Sequence, residues 1–115
     1  MGVYFFFLFA YGGTFLVNPG YPKITDKTFV GEKGMKFCKV CKIWMERGHG
    51  YRHCPECEIC VEEYDHHCPW TSKCVGKGNM VFFYLFLLSI FLTMIYLTMA
   101  FVFAMEHYTK NIKNL

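Results

Sequence analysis

HCPECEICVEEYDHHCPWTSKC, residues 53–74, contains five of the seven cysteines and three of the five histidines of this 115-residue chain. Its first cysteines form the overlapping pattern Cys54-x2-Cys57-x2-Cys60, and a further C-x2-C pair begins upstream at Cys38. A C-x2-C turn brings two thiolates to one Zn²⁺, and repeated pairs are a far more specific signal than a single pair. The pattern therefore predicts a small zinc-binding domain.

Counting the possible ligands leaves a remainder in this segment. A structural zinc site takes four ligands and has no open position. Seven cysteines and three nearby histidines are ten candidate ligands, so two Cys3His sites would leave one cysteine and one histidine over. The run Asp65-His66-His67-Cys68 contains the candidates for that remainder.

Spacing alone leaves two interpretations of this run open. A cysteine without a metal suits nucleophilic catalysis when a histidine can take its proton and a carboxylate can orient the ring. Alternatively, all four residues are ligands or packing residues, since adjacent Cys and His are common in zinc modules. Metal-activated hydrolysis is disfavoured, because a filled Cys3His site carries a charge of about −1 and has no position for water.

Most charged residues occur in one block of the chain. Hydrophobic residues make up 54% of the sequence and charged residues 18%, which excludes disordered, collagen-like and low-complexity classes. Residues 1–17 and 78–105 carry no charged side chain, whereas residues 18–79 carry ten Lys or Arg, eight Asp or Glu and all seven cysteines. Because acidic and basic residues nearly balance there, no nucleic-acid partner is expected.

The two uncharged segments predict membrane helices on either side of the cysteine-rich domain. Residues 80–105 would form a helix of about 39 Å, ample for a tilted span, and a polar domain of this size is too small to bury it as a core helix. Residues 1–17 are shorter and contain Gly12-Gly13, which we expect to interrupt the helix. We predict a full or partial span there, because the basic start of a signal peptide is missing.

The positive-inside rule predicts the orientation of these segments. Lys and Arg are concentrated in residues 18–79, which places that domain in the cytosol and residues 106–115 in a short tail on the other side. A reducing cytosol and an odd cysteine count both disfavour a disulfide framework. The predicted fold class is a membrane protein, mainly α, in which two transmembrane helices flank a small irregular cytosolic zinc-binding domain.

The sequence strongly resembles the DHHC-type protein S-acyltransferases, also called palmitoyltransferases. The resemblance is carried by the cysteine pairs above, by Asp65-His66-His67-Cys68-Pro69-Trp70, and by Cys74-Val75-Gly76-x2-Asn79-x3-Phe83. Asn18-Pro19-Gly20 is similar to the family's Asp-Pro-Gly motif. The resemblance implies a cytosolic cysteine-rich domain between membrane helices, two structural Zn²⁺ ions and palmitoyl-CoA as the acyl donor.

The resemblance also implies a role for each residue of the site. Cys68 would be the nucleophile, His66 the general base and Asp65 the residue that orients His66. Cys68 would attack the thioester of palmitoyl-CoA, and the acyl chain would then pass to a membrane-proximal cysteine of a substrate protein at the lipid bilayer of the Golgi, endoplasmic reticulum or plasma membrane. The implied ligands are Cys38, Cys41, His53 and Cys60 for one zinc, and Cys54, Cys57, His67 and Cys74 for the other.

Several features differ from the family pattern. Eleven residues separate Cys41 from His53 where the family usually has nine, and Ser72-Lys73 stands in place of Asn-Asn. Only two apolar segments are present against the family's four membrane helices, so we expect a truncated chain with weak or no activity alone. The alternative function is a membrane-anchored zinc module that binds a partner protein. Candidate contacts to the acyl donor are Arg52, Lys73, Lys77 and Trp70. The ordinary alternative is that the three basic residues form a solvated surface and that the tryptophan lies at the membrane interface.

Overall fold

A computed structural model describes residues 1–22, 34–46 and 50–114. Part of the predicted domain 18–79 and three of the eleven residues between Cys41 and His53 therefore lie outside the described residues. The elements, in chain order, are α1 (Gly2–Leu16), β1 (Met35–Cys38), β2 (Ile43–Glu46), β3 (Arg52–Cys54), β4 (Ile59–Val61), β5 (His66–Cys68), β6 (Lys73–Val75) and α2 (Met80–Lys113).

The cysteine-rich domain is built from three antiparallel hairpins, which makes it more regular than the sequence predicted. Hairpin 1 pairs β1 with β2, hairpin 2 pairs β3 with β4, and hairpin 3 pairs β5 with β6. In each hairpin the first strand ends at a cysteine. This cysteine pairs across the strands with the residue five positions later, as in Cys38↔Ile43, Cys54↔Ile59 and Cys68↔Lys73. The three turns therefore have the same length and register.

The backbone of the three turns also has the same shape. The residue before the returning strand has a positive φ in every case: 55° at Lys42, 54° at Glu58 and 49° at Ser72. Non-glycine residues seldom adopt this left-handed conformation, so three equivalent occurrences indicate a common turn geometry. The hairpins are thus repeats of one local structure, with different side chains at the turn.

The hydrophobic core of this domain is small. One buried cluster contains Cys38, Met45 and Cys60, and the other contains Cys54, Val61 and Cys74. Four of these six residues are cysteines, so little aliphatic surface holds the hairpins together. A domain with so small a core commonly depends on metal ions for stability.

Helix α2 extends beyond the apolar segment that predicted it. It has 34 residues and continues through 106–113, and the basic residues Lys110 and Lys113 in its last turn interact favourably with the helix dipole. Within the apolar part, the hydroxyls of Ser89, Thr93 and Thr98 donate to backbone carbonyls of the same helix, which satisfies them without water. Among the described residues, α2 is the one helix long and apolar enough to cross a membrane.

Helix α1 is apolar but short, with 15 residues from Gly2 to Leu16. Its length of about 22 Å is less than the hydrocarbon thickness of about 30 Å. The predicted second transmembrane span is therefore represented here by a shorter helix.

The expected interruption at Gly12-Gly13 is wrong, because α1 runs through both residues without a break. Gly13 lies where α1 crosses α2, and a Cβ atom there would overlap the ring of Phe82. Nearby, Phe7 and Tyr11 of α1 pack against Phe86 of α2, with ring centroids 5.6 Å apart in both pairs. The glycine permits close helix packing at the point where a larger residue would hold the helices apart.

The segment after α1, residues 18–20, connects the helices to the hairpins. The Asn18 side-chain oxygen accepts hydrogen bonds from the backbone N–H groups of Gly20 and Tyr21, which fixes the turn. The carbonyls of Pro19 and Gly20 then accept from Gly78 N–H at 3.1 Å and Glu62 N–H at 2.8 Å. The motif-like Asn-Pro-Gly sequence therefore contacts the loops on both sides of hairpin 3.

Candidate active site and metal centres

The first group of potential metal ligands joins hairpin 1 to hairpin 2. Cys38 and Cys41 belong to the turn of hairpin 1, while His53 and Cys60 face each other across hairpin 2. His53 Nδ1 lies 3.8 Å from Cys38 Sγ, 3.2 Å from Cys41 Sγ and 3.9 Å from Cys60 Sγ. One ligand atom from each of the four residues falls within 4.8 Å of the others.

The second group repeats this arrangement one hairpin further along the chain. Cys54 and Cys57 belong to the turn of hairpin 2, and His67 and Cys74 face each other across hairpin 3. His67 Nδ1 lies 3.6 Å from Cys54 Sγ, 3.3 Å from Cys57 Sγ and 3.8 Å from Cys74 Sγ. These four ligand atoms also lie within 4.8 Å of one another.

Both groups have the chemistry and spacing of a tetrahedral metal site. Zinc–sulfur and zinc–nitrogen bonds of ordinary length place two sulfurs about 3.8 Å apart, and a sulfur and a nitrogen about 3.6 Å apart. The Sγ–Sγ distances of 3.7 Å for Cys41 and Cys60 and 3.3 Å for Cys57 and Cys74 are close to this value. The two Cys/His clusters can therefore each hold one metal ion.

Electrostatics supports a cation in each group. Burial and the neighbouring thiols raise the pKa of the Cys60 and Cys74 thiols, because several anionic sulfurs cannot be crowded together without a compensating charge. A divalent cation would provide that charge and release the thiol protons. That the eight residues bind zinc stays a prediction, although the structure brings them together in the two predicted sets.

Cys68 lies outside both groups. It begins the turn of hairpin 3, in the position that Cys38 and Cys54 occupy in the other hairpins, and it is 2% exposed. Burial raises the pKa of the Cys68 thiol. The Thr71 hydroxyl, the His66 ring and the backbone N–H groups of the turn together lower it by more than burial raises it, so the pKa lies below its ordinary value. The turn therefore favours the thiolate, the form in which a cysteine is nucleophilic.

Asp65 and His66 form a close pair next to this cysteine. His66 Nδ1 and Asp65 Oδ2 are 2.7 Å apart, which leaves Nε2 as the second nitrogen of the ring. Partial burial lowers the pKa of His66, whereas interactions with Asp65 and Cys68 raise it, and the pKa lies above its ordinary value. The ring of Phe83 meets His66 edge-on, with centroids 4.9 Å apart, and so limits where the imidazole can lie. Asp65, His66 and Cys68 therefore lie close together, and their catalytic roles stay a prediction.

Two of the four candidates for contacts to the acyl donor have partners within the chain. Lys73 Nζ donates to the Phe15 carbonyl at 2.6 Å, and Lys77 Nζ lies 2.7 Å from Glu62 Oε1. Arg52 is exposed on β3, and Trp70 is 82% exposed at the turn of hairpin 3. Lys73 and Lys77 thus have structural roles that the sequence analysis did not foresee.

Thr71 is a functional candidate that the sequence analysis missed, and Asn79, which it named only as a motif residue, has a structural role. Asn79 is buried and its amide links α1, β6 and the start of α2. Thr71 is 1% exposed in the turn after Cys68, and its hydroxyl has no hydrogen-bond partner among the described residues. The equivalence of Cys68-x2-Thr71 to the two C-x2-C pairs was a readable signal for Thr71.

Comparison with known proteins gives a consistent result. A family model described as DHHC palmitoyltransferase matches residues 31–115. The chain is 40% identical over 99 residues to Palmitoyltransferase ZDHHC14 of Danio rerio, covering 82% of this chain and 18% of the relative. It is 53% identical over 60 residues to the Mus musculus protein of the same name, which covers 51% of this chain and 12% of the relative. It is 52% identical over 56 residues to Palmitoyltransferase ZDHHC9 of Homo sapiens, which covers 49% of this chain and 15% of the relative.

The chain therefore spans less than a fifth of the length of each of these relatives. The matched region nevertheless includes both Cys/His clusters, the Asp65–Cys68 run and helix α2. Because the family model covers most of the sequence, we conclude that the chain belongs to the DHHC palmitoyltransferase family.

Proposed function

We propose that the chain is a protein S-palmitoyltransferase that takes a palmitoyl group from palmitoyl-CoA and passes it to a cysteine of a substrate protein. The observation that carries the proposal is the position of Cys68, which stands outside both metal-binding groups and next to the Asp65–His66 pair. All seven cysteines lie within the described residues, and the other six belong to the two groups. The reactive thiol is thus set apart from the metal ligands.

The two metal ions have a structural role in this proposal. Zn²⁺ would be held by Cys38, Cys41, His53 and Cys60 in one group and by Cys54, Cys57, His67 and Cys74 in the other. Each bound ion would supply a closed, four-coordinate crosslink between neighbouring hairpins. His67, one of these ligands, lies between His66 and Cys68 in β5, so the crosslink would fix the strand that carries both reacting side chains.

The first step is acylation of Cys68. Asp65 accepts a hydrogen bond from His66 Nδ1, so His66 Nε2 is available to take the Cys68 proton. The Cys68 sulfur attacks the thioester carbonyl carbon, the bond from that carbon to the CoA sulfur breaks, and CoA leaves with the proton from His66. In the second step the substrate thiol gives its proton to His66 and attacks the acyl group, and Cys68 leaves as a thiol.

The connection between hairpin 3 and α2 suits a long-chain acyl donor. Asn79, immediately before α2, donates a hydrogen bond to the Cys74 carbonyl at 2.9 Å and so ties β6 to the start of the apolar helix. With the cysteine-rich domain in the cytosol, Cys68 would be near the membrane surface, where the acyl chain stays in lipid and CoA in water. Burying the chain contributes about 0.8 kcal/mol per CH₂. We infer a membrane location in the Golgi, endoplasmic reticulum or plasma membrane.

Labelling with palmitoyl-CoA tests this function. The metal-loaded chain in lipid–detergent micelles is expected to take up labelled palmitate slowly, in keeping with the weak activity expected of two helices, and in a form that neutral hydroxylamine releases. Cys68→Ser should abolish the thioester and retain both metal ions, whereas Cys74→Ser should lose a metal ion as well. Equal hydroxylamine-sensitive labelling of wild type and Cys68→Ser would overturn the assignment of Cys68. No labelling of the wild type, with partner binding unaffected by Cys68→Ser, would favour the membrane-anchored zinc module instead.

A further inference from the structure

Thr71 is a buried polar residue without a hydrogen-bond partner. Its side chain is 1% exposed, and Oγ1 makes no hydrogen bond of normal length and angle to any described group. By contrast, the hydroxyls of Thr14, Ser89, Thr93, Thr98 and Thr109 all donate to backbone carbonyls. A buried hydroxyl without a hydrogen bond costs free energy, and the uncommon examples in folded proteins call for an explanation, such as a catalytic role.

The repeat of the hairpins defines where this hydroxyl lies. Thr71 follows Cys68 by three residues, as Cys41 follows Cys38 and Cys57 follows Cys54, and a left-handed residue comes next in all three turns. In hairpins 1 and 2 the side-chain atoms at these two positions converge within 4.8 Å. By the same turn geometry, Thr71 Oγ1 is directed to the same side as Cys68 Sγ. The turn of hairpin 3 thus has the form of the two predicted metal-binding turns, with a hydroxyl in place of the second thiol.

The backbone of the turn is already engaged with the Cys68 sulfur. In hairpin 1 the N–H of Cys41 donates to Cys38 Sγ at 3.4 Å. The equivalent N–H of Thr71, together with that of Trp70, interacts with the sulfur of Cys68. The Thr71 hydroxyl lies close enough to this sulfur to lower the pKa of the thiol, although no hydrogen bond of normal length and angle joins them. When the sulfur bonds to carbon it loses its negative charge, and the hydroxyl proton is then available to another acceptor next to Cys68.

We propose that Thr71 is a catalytic residue whose hydroxyl donates a hydrogen bond to the carbonyl oxygen of the acyl donor when Cys68 attacks. This inference rests on the proposed acyl transfer. As the bond from sulfur to the carbonyl carbon forms, the carbonyl π electrons move to oxygen. The resulting oxyanion and Sγ are then bonded to the same carbon. A donor directed to the side of Sγ can reach that oxygen, and a preorganised donor there stabilises the transition state more than the substrate.

The same donor serves both halves of the reaction. When CoA leaves, the oxyanion collapses to the carbonyl of the acyl-Cys68 thioester, and the hydroxyl keeps its proton throughout. Attack by the substrate thiol recreates the oxyanion on the same carbon, next to the same hydroxyl. Loss of the hydroxyl should therefore slow acylation and transfer alike, with little effect on binding of palmitoyl-CoA.

Thr71→Val and Thr71→Ser make a matched pair for the test. Valine has nearly the shape of threonine without the hydroxyl, and serine keeps the hydroxyl. Removing one oxyanion donor usually lowers kcat by about 10²–10³-fold. We expect Thr71→Val to lower the maximal rate of Cys68 acylation by about 100-fold with KM for palmitoyl-CoA little changed, and Thr71→Ser to recover most of that rate. Two metal ions per chain in each variant would show that hairpin 3 remains folded, and Thr71→Ala provides a second hydroxyl-free variant.

Alkylation of Cys68 by iodoacetamide separates this role from an effect on the thiol. Alkylation displaces iodide and develops no oxyanion, so Thr71→Val should slow it only as far as loss of the hydroxyl raises the pKa of the Cys68 thiol, and far less than it slows acylation. Equal acylation of Thr71→Val and wild type would overturn the inference, and so would alkylation slowed as much as acylation. A wild type that forms no hydroxylamine-sensitive thioester would overturn the proposed function and the inference with it, whereas the comparison of the variants bears on the inference alone.

Discussion

The side-chain amide of Asn79 donates a hydrogen bond to the backbone carbonyl of Thr14 at 3.0 Å, across 65 positions of sequence. The same nitrogen donates to the Cys74 carbonyl at 2.9 Å, and the amide oxygen accepts from the Gly76 N–H at 2.9 Å. One buried side chain thus satisfies three backbone groups that belong to α1, to β6 and to the turn before α2. It joins the two helices to the hairpin that carries Cys68.

Replacing Asn79 should loosen this junction. In Asn79→Ala the three buried backbone groups lose their partner, and leaving such groups unsatisfied costs about 1–3 kcal/mol each, partly recovered by relaxation. We expect a loss of about 3 kcal/mol in unfolding free energy, measured by thermal or denaturant unfolding in micelles. Asn111→Ala is the matched control, because Asn111 lies exposed near the end of α2, the helix that Asn79 precedes. Equal stability of the two variants would contradict the proposed importance of the Asn79 amide.

The neighbouring glycines of α1 offer a second matched comparison. Gly13→Ala forces a methyl group into the space occupied by the Phe82 ring, whereas no atom lies within 4 Å of a Cβ at Gly12. Overpacking of this kind costs about 1–3 kcal/mol, while Gly→Ala in an open helix position gains up to about 1 kcal/mol. Thermal unfolding should therefore show Gly13→Ala destabilised and Gly12→Ala unchanged or stabilised. The same shift in both variants would contradict close packing of α1 on α2.

Metal content should follow the division of the cysteines. Cys41→Ser removes a ligand of the first group and Cys57→Ser a ligand of the second, so each is expected to retain about one zinc ion, against two in the wild type. Hairpin 2 contributes to both groups, so either loss should also raise the sensitivity of the remaining ion to chelators. Cys68→Ser should retain both ions. A stoichiometric loss of zinc from Cys68→Ser, measured by atomic absorption, would show that Cys68 is a ligand.

Lys73 is expected to stabilise the helix junction. Its ammonium donates to the Phe15 carbonyl near the C-terminal end of α1 and lies 5.8 Å from the centre of the Phe15 ring. A cation at a helix C-terminus contributes about 0.3–1 kcal/mol. Lys73→Met should lower the unfolding free energy by this amount and leave KM for palmitoyl-CoA unchanged. A raised KM with unchanged stability would instead indicate that Lys73 binds the CoA phosphates.

The site was more predictable than the helices for a physical reason. Thiolate and imidazole ligands must meet at one ion, so the spacing of Cys54, Cys57 and Cys60 restricts the pairings, and resemblance to a family selects one of them. No comparable constraint marks the end of α2, where the apolar pattern ends at Met105 but backbone hydrogen bonding continues to Lys113. Nor could the sequence show that Gly13 faces Phe82, because that depends on how two distant helices cross.

The equivalence of the three hairpins leads to a prediction about a new metal site. In Thr71→Cys, hairpin 3 acquires the C-x2-C arrangement of the other two, with Cys68 as the first thiol and the same left-handed residue after the second. Such a pair should bind a soft divalent cation such as Cd²⁺, with the His66 ring close by as a further ligand. Bound metal would occupy the Cys68 sulfur, so alkylation of Cys68 by iodoacetamide should become sensitive to added Cd²⁺.

Wild type and Thr71→Ser are the controls for this site, because in each of them Cys68 is the single thiol of the turn in hairpin 3. We expect added Cd²⁺, once the two predicted zinc sites are filled, to slow alkylation in Thr71→Cys by about tenfold or more, since metal coordination removes the thiolate as a nucleophile. The thiolate-to-Cd²⁺ charge-transfer absorption should rise by one equivalent in that variant alone. Protection of Cys68 by Cd²⁺ in the controls to the same extent would show that hairpin 3 does not behave as a repeat of hairpins 1 and 2.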